Sequence, residues 1–152
     1  MSEETLLLID GHGLAYRAFF ALPELTAPDG TPTGAVVGFA NMVLKVLENW
    51  KPSRGALVFD APGPTFRHEA YEAYKEGRAP MPDALRTQMP LLWELGELLG
   101  LPVVARGGVE ADDVLGATAL DACQRQPVLV VTGDKDLLQL LRPGLRVLRP
   151  RK

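Results

Sequence analysis

Seven carboxylates stand at the ends of apolar runs or a short loop beyond them: Asp10, Asp60, Glu110, Asp112, Asp113, Asp134 and Asp136. Asp10 closes Leu6-Leu7-Leu8-Ile9, and Asp60 closes Gly55-Ala56-Leu57-Val58-Phe59. Glu110, Asp112 and Asp113 follow a third run across Arg106-Gly107-Gly108, and Thr132-Gly133-Asp134-Lys135-Asp136 follows a fourth. Taken singly, an acid after a strand is often a turn former or a helix N-cap, and acids in a first helical turn are favoured by the macrodipole. Asp10 and Asp60 resist that reading, because each ends a buried run where an unpaired charge costs several kcal/mol. Together, so many like charges at one edge repel unless a cation neutralises them. An all-oxygen set without histidine suits a hard ion such as Mg²⁺ or Mn²⁺. One Mg²⁺ seldom needs more than about three carboxylates, so two ions are expected. Two such ions roughly 4 Å apart are the usual device for in-line phosphodiester displacement, one activating water and the other stabilising the leaving oxygen.

A second feature lies between two turn-rich stretches, Ala61-Pro62-Gly63-Pro64 and Ala79-Pro80-Met81-Pro82. On a helix, Arg67, Tyr71, Tyr74, Lys75 and Arg78 share one face, with Glu69, Glu72 and Glu76 largely opposite. His68 and Arg86 extend the basic character of the segment. Such a stripe by itself is most simply a solvated amphipathic helix. Directly after a strand that ends in a candidate metal ligand, it reads as a channel for single-stranded nucleic acid, because aromatics stack on unpaired bases and Lys or Arg hold phosphates. After Leu141 come Arg142, Arg146, Arg149, Arg151 and Lys152 without an acid. That tail reads equally well as a frayed solvated end or as a phosphate contact.

Nothing else in the chain competes for catalysis. Ser2 and Ser53 are the only serines, no nucleophile elbow is present, and neither His12 nor His68 has an evident partner; His12 reads as structural and His68 as a surface residue. A Walker loop and a Gly-x-Gly-x-x-Gly fingerprint are absent. Cys123, the single cysteine, cannot form an internal disulfide or a thiolate metal site and reads as a small core residue.

The elements that must position these acids follow from periodicity. Thr5–Asp10, Gly55–Asp60, Leu101–Ala105, Val128–Thr132 and Leu145–Leu148 are short and apolar on both alternating faces, as in a covered parallel sheet. Gly34–Trp50 carries Val37, Phe39, Met42, Val43, Val46 and Leu47 at helical spacing, and Glu110–Cys123 carries Val114, Leu115, Ala117 and Leu120. Asp83–Leu99 is helical in composition, with Pro90 expected to kink it or to start it afresh. Open α/β sheets bind ligands beyond the carboxyl ends of their strands, which is where the acids fall.

The chain has 152 residues, 47% of them apolar and 23% charged, which suits one ordinary α/β domain able to bury its own core. No apolar run approaches the roughly 18 residues of a membrane span. The acidic start Met1-Ser2-Glu3-Glu4 is unlike a signal peptide, so a cytoplasmic location without membrane contact is expected. The net charge of −3 argues mildly against a nucleic-acid partner. Set the acidic cluster aside, however, and the remainder is net basic, with much of the excess on the Arg67–Arg78 stripe and after Leu141.

These motifs match a known family. Leu8-Ile9-Asp10-Gly11 with Tyr16-Arg17-Ala18, Val58-Phe59-Asp60-Ala61, Thr65-Phe66-Arg67, Tyr74-Lys75 through Arg78-Ala79-Pro80-Met81-Pro82, Gly108-Val109-Glu110-Ala111-Asp112-Asp113-Val114 and Thr132-Gly133-Asp134-Lys135-Asp136-Leu137 run in order along nearly the whole chain. In this the chain closely resembles the 5′-nuclease (5′→3′ exonuclease, flap endonuclease) domains of bacterial DNA polymerase I, within the flap-endonuclease superfamily. The resemblance implies a PIN-like (Rossmann-like), mostly parallel sheet flanked by helices, with residues 1–152 as the catalytic domain and a helical arch at about 64–88. It implies Mg²⁺-dependent (or Mn²⁺-dependent) two-metal hydrolysis of 5′ flaps or primers in DNA replication and repair. The implied metal ligands are Asp10, Asp60, Glu110, Asp112, Asp113, Asp134 and Asp136. Lys75 and Arg78 would offset charge developing on the phosphate, and Arg17, Arg67, Tyr74, Lys75 and Arg78 would contact DNA. The implied partner is DNA with a 5′ flap or free 5′ end, or an RNA primer–DNA hybrid, bound by a monomer in the nucleoid. Family members continue into further metal-site aspartates and a helix-hairpin-helix element, which this chain lacks because it stops at Lys152, and a polymerase domain would follow. Two rivals share the acid pattern. A PIN-type ribonuclease has the same sheet without the Tyr74-Lys75 arch. A non-enzymatic receiver-like Mg²⁺ module has an acid pair after its first strand, where this chain has only Asp10 before Gly11-His12-Gly13.

Overall fold

The structure is a computed structural model that describes residues 4–21, 25–59, 81–105, 111–133 and 135–149, with the backbone alone at 111, 112, 135 and 136. The runs without polar alternation become strands covered on both faces. β1 (Leu6–Asp10) and β4 (Val128–Val131) lie side by side at the centre, and Leu7, Ile9, Val130 and Val131 are completely buried. β2 (Arg54–Val58) and the two-residue β3 (Val103–Val104) extend the sheet on one side, and β5 (Leu145–Leu148) on the other. The order is β3-β2-β1-β4-β5 with every pairing parallel, as the apolar runs predict. Register places Asp10 opposite Val58, and Ile9 opposite Val131.

Helices cover both faces. α1 (Gly11–Ala21), α2 (Gly34–Trp50) and α3 (Asp83–Leu98) pack on the face that presents Leu7, Ile9 and Leu57. α4 (Ala111–Ala122) and a 3₁₀ helix (Lys135–Leu140) cover the opposite face, against Leu8, Val58 and Val130. α2 has the expected bounds but a shifted stripe: it buries Ala35, Gly38, Phe39, Val43 and Val46, while Val37 points to solvent. Likewise α4 buries Leu115, Ala119 and Ala122, and Ala117 is exposed. α1, which starts directly after β1, has no range of its own in the sequence analysis.

α3 runs through Pro90, so of the two expected outcomes the helix is not started afresh there. Pro90 removes one intrahelical donor, but it lies on the exposed side, where water can satisfy the freed carbonyl of Arg86. Leu85, Gln88, Leu92 and Gly96 anchor the other side in the core. Residues 83–88, the end of the expected arch, therefore belong to this core-packed helix, and residues 60–80 lie outside the described residues. The basic stretch after Leu141 is not frayed up to residue 149. Arg146 sits in β5 with its guanidinium over the Trp50 ring, 5.7 Å from the ring centre.

Gln88 solves a problem that the sequence does not reveal. The residue before α2, Thr33, gives no side-chain cap to that helix. The buried Gln88 instead reaches across from α3, accepting the Val36 N–H at its Oε1 (3.0 Å) while its Nε2 donates to the Ala84 carbonyl (2.9 Å). Two helices are thus tied together where an open N-terminal donor needs a partner.

Candidate active site

The order β3-β2-β1-β4-β5 reverses between β1 and β4, so the crevice beyond the carboxyl ends of those two strands is where an open sheet takes a ligand. Asp10 is the last residue of β1 and Thr132 follows β4. Both are buried, Asp10 at 5% exposure and Thr132 at 0%. The Thr132 hydroxyl donates to Asp10 Oδ2 at 2.8 Å, bridging the reversal point.

The other carboxylate oxygen is held from below. Asp10 precedes α1, and its Oδ1 accepts the Gly13 N–H at 3.0 Å, the geometry of a helix N-cap. The cap reading thus holds for this side chain and is compatible with the ligand reading. The buried charge is paired with two donors, so its burial alone does not require a cation. Two of roughly four acceptor positions on the carboxylate are used by these bonds.

This arrangement explains Asp10-Gly11-His12-Gly13. A Cβ on Gly13 would lie 2.4 Å from Asp10 Oδ2, and one on Gly11 would lie 2.6 Å from the Phe59 ring. Only glycine lets the first turn of α1 sit so close to both. Phe59 is itself buried, stacked with Phe39, tilted against Trp93 and met edge-on by His12 at 5.5 Å, in keeping with a structural role for His12.

Of the other expected site residues, Asp113 lies in the first turn of α4, half-buried, with its Oδ2 shielded from solvent. Since α4 follows β3 and packs on β1, that turn faces the same edge of the sheet as Asp10. Asp112 shares the turn by its backbone, and Asp136 lies in the 3₁₀ helix that follows β4. Arg17 lies two turns along α1 from Asp10, with its Nε shielded from solvent and without a hydrogen bond among the described residues. Asp60, Glu110, Asp134, Arg67, Tyr74, Lys75 and Arg78 lie outside the described residues.

Among the described residues no three His, Cys, Asp or Glu side chains gather as a complete metal cluster. What is present fits a hard divalent cation: oxygen donors only, a carboxylate fixed in orientation, and a glycine where any side chain would displace it. The sequence reading missed Thr132 as a site residue. Its signal is a hydroxyl that ends an apolar strand immediately before Gly133 and Asp134.

Comparison with known proteins adds the following. A family model described as "5′-3′ exonuclease, N-terminal resolvase-like domain" matches residues 5–152. DNA polymerase I of Pseudomonas aeruginosa is 49% identical over 142 residues, which is 93% of this chain and 16% of that protein. The thermostable DNA polymerase I of Thermus thermophilus is 49% identical over 146 residues, 95% of this chain and 18% of that one. The chain therefore spans less than a fifth of the length of these relatives. Among solved structures, T5 5′-exonuclease with bound divalent zinc ions superposes with a TM-score of 0.69 at 20% identity, over 95% of this chain and 55% of that one. The catalytic core of Rad2 in complex with DNA substrate superposes with a TM-score of 0.57 at 18% identity, over 97% and 44% of the two chains. At these identities the structural matches establish the fold.

Proposed function

The chain belongs to the family of 5′-3′ exonuclease N-terminal, resolvase-like domains, and on that premise we propose that it is the catalytic part of a divalent-metal-dependent 5′ nuclease. Its reaction is hydrolysis of phosphodiester bonds at 5′ flaps or primers in DNA replication and repair. The observation that carries this reading is the Asp10–Thr132 contact, an oriented buried carboxylate at the one point where the strand order reverses.

Asp10, Asp60, Glu110, Asp112, Asp113, Asp134 and Asp136 would hold two Mg²⁺ or Mn²⁺ ions. Bound there, the ions would supply charge neutralisation and a lowered pKa for the attacking water. Arg17 binds the phosphate backbone beside the site: it follows Asp10 on about the same side of α1, and helical side chains lean toward the N-terminus, here toward Asp10. Its Nε, without a hydrogen bond among the described residues, supports an anion as its acceptor. Lys75 and Arg78 offset charge that develops on the scissile phosphate, while Arg67 and Tyr74 guide the strand. Phosphate contacts and duplex shape, rather than base edges, set specificity.

The substrate is DNA with a 5′ flap or free 5′ end, or a primer–DNA hybrid, engaged by a monomer in the nucleoid. The polymerase relatives support fusion to a polymerase portion in the whole protein. No described helix is long and apolar enough to cross a membrane.

Cleavage of a 5′-labelled flap duplex tests the proposal. Mg²⁺ should release the flap and a chelator should prevent it, with Asp10→Ala and Asp113→Ala each lowering the rate by about 10³-fold. Undiminished cleavage by Asp10→Ala overturns the metal assignment. Preference for unstructured RNA over the flap would point instead to a PIN-type ribonuclease.

A further inference from the structure

We infer that Thr132 is a positioning residue for the metal site, its hydroxyl fixing the plane of the Asp10 carboxylate and so the direction in which that carboxylate can take a cation; the inference rests on the metal-dependent reading above. A carboxylate can rotate about its last side-chain bond, and one donor restrains it only partly. Two of the donors to Asp10 come from different elements. Gly13 N–H, in its own helix, holds Oδ1 at 3.0 Å, and the Thr132 hydroxyl, beyond the neighbouring strand, holds Oδ2 at 2.8 Å. With both in place the plane of the carboxylate is set.

Thr132 is rigid enough for this role. It is completely buried, and its backbone N–H donates to the Leu148 carbonyl at 3.0 Å, which anchors it to the sheet by way of β5. Its β-branched side chain has few rotamers, so the hydroxyl is aimed by the backbone. Thr132 is also the first residue of Thr132-Gly133-Asp134-Lys135-Asp136. The hydroxyl therefore ties the carboxylate that ends β1 to the start of the segment that carries Asp134 and Asp136. Outer contacts of this kind are worth about 10- to 100-fold in metal affinity elsewhere.

Calorimetric titration of the folded protein with Mn²⁺, without nucleic acid, tests the inference independently of catalysis. Thr132→Val and Thr132→Ala remove the hydroxyl, and Thr132→Ser keeps it. Both hydroxyl-free variants should bind Mn²⁺ about 10-fold more weakly, and the serine variant within about 3-fold of the parent. Should the valine variant not fold, the alanine variant carries the comparison. A hydroxyl that served only the fold would lower the melting temperature and leave the Mn²⁺ affinity of the folded protein unchanged, which is the result that overturns the proposal. If the parent chain shows no saturable Mn²⁺ binding, the metal-dependent reading fails and this inference fails with it, whereas parent binding with unaltered variants defeats this inference alone.

Discussion

Asp10 shows how one residue can satisfy two demands that a sequence reading treats as alternatives. Its position after a strand fits a helix cap, and its charge at the end of a buried run fits a cation ligand. The structure supplies the cap through Gly13 N–H and then uses Thr132 to orient what remains. The cost of burying an unpaired charge singles out Asp10 in the sequence, and in the structure the immediate answer to that cost is hydrogen bonding. Gly13 tests this economy. Replacing a helical glycine by alanine ordinarily gains about 1 kcal/mol. Here the new Cβ would stand 2.4 Å from Asp10 Oδ2, and the carboxylate is held from two sides, so it cannot move without losing a bond. Overpacking of this kind costs about 1–3 kcal/mol, which outweighs the gain. Gly13→Ala should therefore lower the thermal unfolding midpoint and reduce flap cleavage together; a more stable and equally active variant would show that the close approach is relieved at no cost.

The elements divide into those that local periodicity dictates and those that depend on distant contacts. The five strands were legible because short, mostly apolar runs bounded by turn residues have few other solutions in a domain of this size, even where Arg146 interrupts the last of them. α2 and α4 were legible from their stripes, although Val37 and Ala117 turn outward while Ala35, Ala119 and Ala122 are buried. α1 was obscured because its two glycines serve close packing on Phe59 and Asp10, a tertiary reason that composition cannot express. The continuity of α3 through Pro90 was obscured likewise, since it depends on which side of the helix meets water. Gln88 is the extreme case: a cap supplied from 52 residues away leaves no local trace. Gln88→Leu keeps the volume but strands the Val36 N–H at a buried helix start. Leaving such a donor unsatisfied costs about 1–3 kcal/mol, so chemical denaturation should show that loss with an unchanged slope. An unaltered midpoint would mean that water replaces the amide at the start of α2.

For the molecule as a whole, the sheet order and the charge balance act on the same region. The reversal between β1 and β4 creates a crevice, and the chain places buried acid there while its net charge is −3. A polyanion approaching such an edge is repelled unless the site is filled, because bound cations are the largest charges in a site of this kind and invert its sign. This gives binding a dependence on divalent ions whose direction is diagnostic. Divalent ions in bulk solution compete for phosphates and screen protein cations, so simple screening predicts that they weaken nucleic-acid binding. Ions held at Asp10 and its companions predict the opposite. Anisotropy of a labelled 5′-flap duplex, measured at matched ionic strength, should show binding at least about 10-fold tighter in millimolar Ca²⁺ than with chelator, a gain of about 1.4 kcal/mol. Asp10→Ala, which removes a proposed ligand, should lose most of that gain while retaining the affinity measured with chelator. Equal or weaker binding in Ca²⁺ by the parent chain would show that its basic surface alone accounts for contact with the substrate, and the proposed role of the acids in holding the strand would fall.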